Sequence, residues 1–269
     1  IELAGPMPAR VASALGYPSR PAFLDAKRAA TTAVRQGLLD YERRHGYKGA
    51  IEKLDWVSNA GPDEWSEALG KFESIANLQP VLVIQVEDKK ATVFLENQTN
   101  LEINWDNLSW ARQAIDENTL GPVLKTAGDA LSVGDVVMVE VIDDKSARLA
   151  QVPSVSGALV SLDPNDGAIR ALVGGFDFYS SKYNRITQAE RQPGSSFKPF
   201  IYSAALEKGF TAASIINDAP VVFEDPALEA AWRPENYSGK FAGPTRMREA
   251  LIHSRNLVSI RLLQSLGVG

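Results

Sequence analysis

Residues 157–175, GALVSLDPNDGAIRALVGG, decide how the C-terminal half of the chain is built. An apolar run over 157–162 meets Asp163-Pro164-Asn165-Asp166-Gly167, a cluster of turn formers, and a second apolar run returns over 168–173. The pattern predicts a β-hairpin. Beyond it the residues from Ser195 to Lys208 recur with helical spacing. A stretch rich in Pro and Asn reaches Pro244, and another helical pattern runs to Leu266. Strands followed by helices predict an α+β domain.

The texture changes on the N-terminal side of the hairpin. Strand-like runs rich in Val and Ile occupy 81–86, 91–95, 136–142 and 147–152, and 63–77 has short helical periodicity. Glu87-Asp88-Lys89-Lys90 and Asp143-Asp144-Lys145 supply turns. Several short strands with few helices predict a small antiparallel barrel-like domain. Further upstream, Ala29, Ala33, Leu38 and Leu39 recur among charges over 22–44, an amphipathic helix ended by His45-Gly46. The leading residues, with Pro6, Pro8, Pro18 and Pro21, read as irregular. The expected division is an irregular N-terminus and helical lead-in over 1–48, a β-rich domain over 49–154 and the α+β part over 155–269.

Composition narrows the chemistry. The 269 residues are 45% hydrophobic and 23% charged, values of an ordinary globular chain, which excludes a disordered, collagenous or coiled-coil protein. No apolar run approaches the ~18–20 residues of a membrane helix. The leading residues show no basic segment followed by an apolar one, so no signal peptide is read there. A net charge of −5 argues against a nucleic-acid partner. With no cysteine, disulfides, thiolate metal sites and a Cys nucleophile are excluded. His45 and His253, the only two histidines, are too few for a multi-His zinc site or a His-based triad. Catalysis then falls to Ser, Lys, Asp or Glu.

Pro193-Gly194-Ser195-Ser196-Phe197-Lys198-Pro199-Phe200 contains the first candidate pair. In a helix starting at Ser195, Ser195 and Lys198 share a face. A serine hydroxyl needs a base to become a nucleophile, and a neutral lysine can replace the missing histidine. The lysine pKa of ~10.4 must fall by about 3 units for this to work near pH 7, which burial and a neighbouring cation can cause. The serine's own N–H, at a helix start, is an oxyanion donor. Pro199 disfavours helical geometry at Lys198 and is tolerable because the position lies in the first turn. The competing reading is a plain helix start with an exposed lysine. Downstream, His253-Ser254-Arg255-Asn256 offers Ser254 as a proton relay and Asn256 as an amide that fixes a substrate amide; a polar helix face is the competing reading. S-x-x-K followed by S-x-N is more specific than either alone.

Other features read as structural. Lys125-Thr126-Ala127-Gly128 has an extra Ala in a K-T-G pattern and precedes Ser195, so it reads as a strand-to-turn segment. Gly174-Gly175 lacks a following G-K-S/T and reads as a turn. His253 and Ser254, adjacent on a helix, face different ways. Trp105 and Trp110 have no accompanying basic patch and read as packing residues, while Trp232 and Tyr237 either line a groove or pack.

These segments carry a resemblance. GALVSLDPNDGAIRALVGG (157–175), RITQAERQPGSSFKPFIYSAALEKG (185–209), WRPENY (232–237) and ALIHSRNLVSIRLL (250–263) resemble the transpeptidase domain of class A penicillin-binding proteins, nearest the 1A group of Gram-negative bacteria. LDYERRHGYKG (39–49) and the middle part resemble that group's helical lead-in and OB-like domain. The resemblance implies an α+β transpeptidase domain, incomplete here, behind an OB-like domain. It implies that Ser195 is acylated, Lys198 is its general base, Ser254 takes part in proton transfer, and Asn256, with Trp232 and Tyr237, binds substrate. The implied reaction cleaves the D-Ala–D-Ala bond of a peptidoglycan stem peptide and passes the acyl group to an amine of a neighbouring strand. β-Lactams would acylate the same serine, and no metal or organic cofactor takes part.

The family's third motif, K-T/S-G, belongs well beyond Asn256 and does not occur before Gly269. The chain therefore reads as an internal fragment, expected to be inactive alone, of a parent with a membrane anchor and a peptidoglycan glycosyltransferase domain at the periplasmic face of the inner membrane. A D,D-carboxypeptidase or serine β-lactamase, with water as acceptor, is the nearest alternative. Another is a non-catalytic docking fragment that binds an outer-membrane lipoprotein activator through 49–154.

Overall fold

The computed structural model describes residues 20–223 and 231–267. The chain falls into two compact units, Ile1–Ala189 and Glu190–Gly269.

The first unit opens with helix α1 (Arg20–His45). It takes in Pro21, expected to be irregular but tolerated in a first turn, where its missing N–H breaks no bond. Pro6, Pro8 and Pro18 lie outside the described residues. Ala30, Val34 and Leu38, spaced by four, form a buried stripe. It lies one residue on from Ala29 and Ala33, which were expected on the apolar face but are exposed: the smaller alanines yield the core side to the row that carries Val34. Arg43 and Arg44 occupy its last turn, where cations complement the helix dipole. Gly46 ends it at φ 92°. After β1 (Glu52–Lys53), helix α2 (Pro62–Leu69) starts with proline, and the Glu64 carboxylate accepts from Gly61 N at 2.9 Å. The expected helical segment over 63–77 ends at Leu69, with Gly70 at its C-cap.

Strands β2 (Leu78–Val86), β3 (Lys90–Phe94), β4 (Asn100–Asn104), β5 (Asp135–Val141) and β6 (Ala147–Ala150) complete a six-stranded antiparallel sheet in the order β1-β5-β2-β3-β4, with β6 on the other part of β5. Glu102 of β4 bridges to Ser146, curling the far edge back toward β6. β4, with its polar Asn100, Glu102 and Asn104, carries too few apolar residues to be read as a strand from composition. Its alternate Leu101 and Ile103 are buried.

Alternation along β2 separates two cores. Val81 and Val83 join Val93, Ile103, Val137 and Leu149 inside the curled sheet. Leu82 points the other way, onto Leu69, Phe94 and Val136 beneath α2. Pro80 is tolerated because it pairs only with Met138 of β5; pairing with β3 begins at Leu82. The hairpin predicted over 157–173 is present as β7 (Leu159–Leu162) and β8 (Ile169–Val173). Val173 packs on the α1 stripe with Leu159 and Ala171.

The buried carboxylate of Glu42 ties α1 to the segment after β6. It accepts from Ser154 N and Oγ at 2.8 Å each, Gln151 Nε2 at 2.7 Å and Lys48 Nζ at 3.1 Å.

The second unit contains α3 (Lys198–Glu207), β9 (Ile215–Asp218), β10 (Gly243–Arg246), α4 (Met247–Ile252) and α5 (Asn256–Leu266). Tyr202, Ala205, Met247, Ala250, Val258, Leu262 and Leu266 form its core. Two expectations are corrected here. The stretch read as loop up to Pro244 carries both strands of an antiparallel pair, β9 and β10. The final helical pattern is two helices broken at residues 253–255, where Ser254 lies at φ 50°.

Candidate active site

Ser195 sits in a 3-10 turn, Gly194–Phe197, that leads directly into α3. Gly194 takes φ 55°, a conformation that costs glycine little. Pro199 falls at the start of α3, where its missing N–H leaves no helical bond unmade. Lys198, the first residue of α3, is 7% exposed.

The Lys198 ammonium group has three acceptors: Ser254 O at 2.6 Å, Ser254 Oγ at 2.9 Å and Asn256 Oδ1 at 2.6 Å. Among the described residues no carboxylate pairs with it. No charged partner offsets its burial, which lowers its pKa below the ordinary 10.5. The structure thus brings Ser195, Lys198, Ser254 and Asn256 together. Their linkage differs in detail from simple proximity along one helix face. Ser254 Oγ lies 3.1 Å from Ser195 Oγ, so the hydroxyl of Ser254 bridges serine and lysine.

The break between α4 and α5 makes this bridge. Ser254 N donates to Leu251 O at 3.0 Å and Arg255 N to Ala250 O at 2.8 Å. This is the Schellman pattern, with Ser254 at the left-handed position that glycine usually fills. Its backbone carbonyl and hydroxyl both reach Lys198 from there.

Asn256 begins α5, and its amide is held at both ends. Oδ1 accepts from Lys198, while Nδ2 donates to Glu235 O at 2.9 Å. One Nδ2 hydrogen is left for a carbonyl group beyond those partners. Asn236, beside Glu235, is buried and accepts through Oδ1 from Asn256 N at 2.8 Å and Leu257 N at 3.4 Å. Its Nδ2 donates to Asp218 Oδ1 at 2.7 Å and Lys240 O at 2.9 Å. Neither Asn236 nor Asp218 stands out in the sequence. WRPENY draws attention to its aromatics, yet the asparagine between them makes these contacts.

Trp232 is half-exposed, with its ring 5.1 Å from that of Phe223, to which its backbone bridges. Tyr237 is fully exposed. His253 is exposed with Nε2 3.7 Å from Glu249, away from the serine–lysine contacts. In the first unit Lys125 and Thr126 lead into a 3-10 turn, Ala127–Asp129, capped where Asp129 Oδ2 accepts from Lys125 N at 2.6 Å and Thr126 N at 2.8 Å. Trp110 packs edge-on against buried Tyr47, and Trp105 lies under Lys89 with 4.2 Å between nitrogen and ring. No described helix is long and apolar enough to cross a membrane, and the described residues include no group of three His, Cys, Asp or Glu able to hold a metal ion.

Residues 47–155 match the penicillin-binding protein OB-like domain, and residues 157–268 match the penicillin binding protein transpeptidase domain. Penicillin-binding protein 1A of Pseudomonas aeruginosa is 49% identical over 244 residues, covering 91% of this chain and 29% of that protein. Penicillin-binding protein 1A of Escherichia coli is 39% identical over 244 residues, covering 90% of this chain and 29% of its own length. The crystal structure of penicillin-binding protein 1A from Haemophilus influenzae superposes with a TM-score of 0.71 at 33% identity, over 90% of this chain and 34% of that one. The chain spans about 30% of the length of the curated relatives it matches.

Proposed function

We propose that this chain, which belongs to the penicillin-binding proteins, holds the serine–lysine centre of a peptidoglycan D,D-transpeptidase. The observation that carries the reading is the chain Ser195 Oγ–Ser254 Oγ–Lys198 Nζ, with steps of 3.1 and 2.9 Å, ending on a buried lysine with no carboxylate partner among the described residues. When Lys198 is neutral its lone pair accepts the Ser254 proton, and Ser254 Oγ accepts that of Ser195. Ser195 Oγ then attacks the carbonyl of the D-Ala–D-Ala bond in a donor stem peptide. The proton taken up by Lys198 returns through Ser254 to the leaving nitrogen, and D-alanine departs. An amine from a neighbouring stem attacks the resulting ester, the cross-link forms, and Ser195 regains its proton. The remaining Nδ2 hydrogen of Asn256 binds a carbonyl of the donor backbone, with Trp232 and Tyr237 flanking the groove. A β-lactam, whose strained amide mimics the donor, acylates Ser195 and stays there.

The test is labelling of the full-length natural protein with a fluorescent penicillin. The expected result is a lasting adduct that Ser195→Ala abolishes. Labelling retained by Ser195→Ala would overturn the assignment, and an adduct hydrolysed within seconds would favour a D,D-carboxypeptidase or β-lactamase.

The same reading places a membrane anchor and a glycosyltransferase domain in the longer protein, with the serine–lysine centre at the periplasmic face of the inner membrane. Domain limits of 49–154 and 155–269 go with it. The OB-like domain is then the docking surface for an outer-membrane lipoprotein activator. Pull-down of such a lipoprotein by the full-length protein, lost when 49–154 is removed, is the expected outcome.

A further inference from the structure

We propose that Asp218 and Asn236 are positioning residues that set the geometry of Ser254–Asn256 through the orientation of one side-chain amide. The inference rests on the reading of Ser195 and Lys198 as the reacting centre.

Helix α5 starts without help from its own cap. Arg255, at the N-cap, makes no side-chain bond to the helix start. Asn236, twenty residues earlier in the chain, does this instead, with Oδ1 on Asn256 N and Leu257 N. The carbonyl of neighbouring Glu235 holds the Asn256 side chain. Asn256 is thereby fixed at backbone and side chain, and its Oδ1 meets Lys198 at 2.6 Å.

An asparagine amide has two orientations of nearly equal shape, and only one works here. Two acceptors, Asp218 Oδ1 and Lys240 O, lie on one side of Asn236. Two N–H donors, of Asn256 and Leu257, lie on the other. Flipping the amide would set oxygen against oxygen and N–H against N–H. Asp218, fully buried at the end of β9, is an acceptor on both oxygens: Ala242 N donates to Oδ2 at 3.0 Å, and Arg255 Nε lies 3.7 Å from it. A carboxylate, unlike an amide, cannot reverse its polarity. It therefore dictates which end of Asn236 faces α5. Neither residue bonds Ser195 or Lys198 among the described contacts, so both act through Asn256.

The experiment uses the full-length natural protein and its acylation by a fluorescent penicillin, resolved into reversible binding and the acylation step. Asn236→Asp sets two carboxylates against each other, and Asp218→Asn frees the amide to turn. Each single variant is expected to lose about 10–100-fold in the acylation step, the scale of a sub-ångström to ångström misplacement, with reversible binding less affected. The double exchange Asp218→Asn with Asn236→Asp restores one donor and one acceptor across the 2.7 Å contact. It is expected to recover about ten-fold over Asn236→Asp, a coupling that simple loss of packing would not produce.

Single variants that acylate within about two-fold of wild type would overturn the proposal, as would a double variant no faster than Asn236→Asp while both melt near wild type. Should Asn236→Asp fail to fold, Asp218→Asn alone decides by the same criterion. Absence of labelling in the wild type, or its persistence in Ser195→Ala, would instead refute the serine–lysine reading itself.

Discussion

Ser254 holds its Oγ 3.1 Å from Ser195 Oγ only by adopting a left-handed backbone, φ 50°, at the end of α4. That conformation costs a non-glycine residue roughly 1–2 kcal/mol. Glycine would relieve the strain but remove the oxygen that bridges to Lys198. Ser254→Gly is therefore expected to raise stability by about 1 kcal/mol and to slow penicillin acylation by about 100–10,000-fold. Ser254→Ala should lose the same activity without the gain in stability. Denaturant midpoints and acylation rates measured on the two variants together separate backbone strain from hydroxyl chemistry.

Lys198 gives the pH dependence its sign. Burial lowers its pKa from 10.5, so the neutral base appears at lower pH than for an exposed lysine. Acylation should rise with pH through the lowered value and level off above it. Lys198→Arg, charged throughout this range, should abolish the rise and cost about 1,000-fold or more. For stability, the unfolded chain binds a proton more firmly than the folded site, so unfolding free energy rises with pH between the lowered value and 10.5. A flat rate profile in the wild type would refute this assignment.

Glu42 is the corresponding acid-side contributor in the first unit. Burial pushes its pKa up, but hydrogen bonds from Ser154 N and Oγ, then Lys48, more than offset this and leave it below the ordinary 4.5. Its contribution to stability is thus present above pH 4.5 and is lost as pH falls through the lowered value. Glu42→Gln should cost about 1–3 kcal/mol at pH 7. Urea unfolding at a series of pH values should show the wild-type and variant curves converging in acid.

Two glycines of the first unit separate strain from collision. Both take left-handed backbone, Gly134 at φ 92° and Gly167 at φ 73°. A Cβ on Gly134 would come 2.5 Å from Leu54 O, whereas one on Gly167 meets nothing within 4 Å. Gly167→Ala should cost about 1–2 kcal/mol from the backbone alone. Gly134→Ala should cost more than that, because the carbonyl it strikes cannot swing aside as a side chain would. Equal thermal shifts in the two variants would contradict the steric account.

The serine–lysine pair and its downstream serine and asparagine were legible in the sequence because each motif is short and local. Residues three apart at a helix start share a face wherever the helix goes. The β7–β8 hairpin and the α1 helix were legible for the same reason, since turn formers and a four-residue apolar repeat act within their own segment. β4 was not, because its alternate polar residues face solvent and only pairing with β3 makes it a strand. β9 and β10 were hidden likewise: Ile216 meets Thr245 across a separation of 29 residues, which no local pattern encodes.

Tertiary structure alone decided how the motifs connect. Spacing placed Ser195 and Lys198 near each other, but the hydroxyl between them comes from Ser254, 59 residues away from Ser195 in sequence. The burial that lowers the pKa of Lys198 and the acceptors that surround its nitrogen also come from the folded arrangement. Asn236 and Asp218 were invisible because their importance lies in which neighbour each end of an amide meets. Sequence determined which groups are available for chemistry: with two histidines and no cysteine, the choice falls to Ser, Lys, Asp or Glu. Distance, burial and hydrogen-bond direction are properties of the folded chain, and they determine what those groups do.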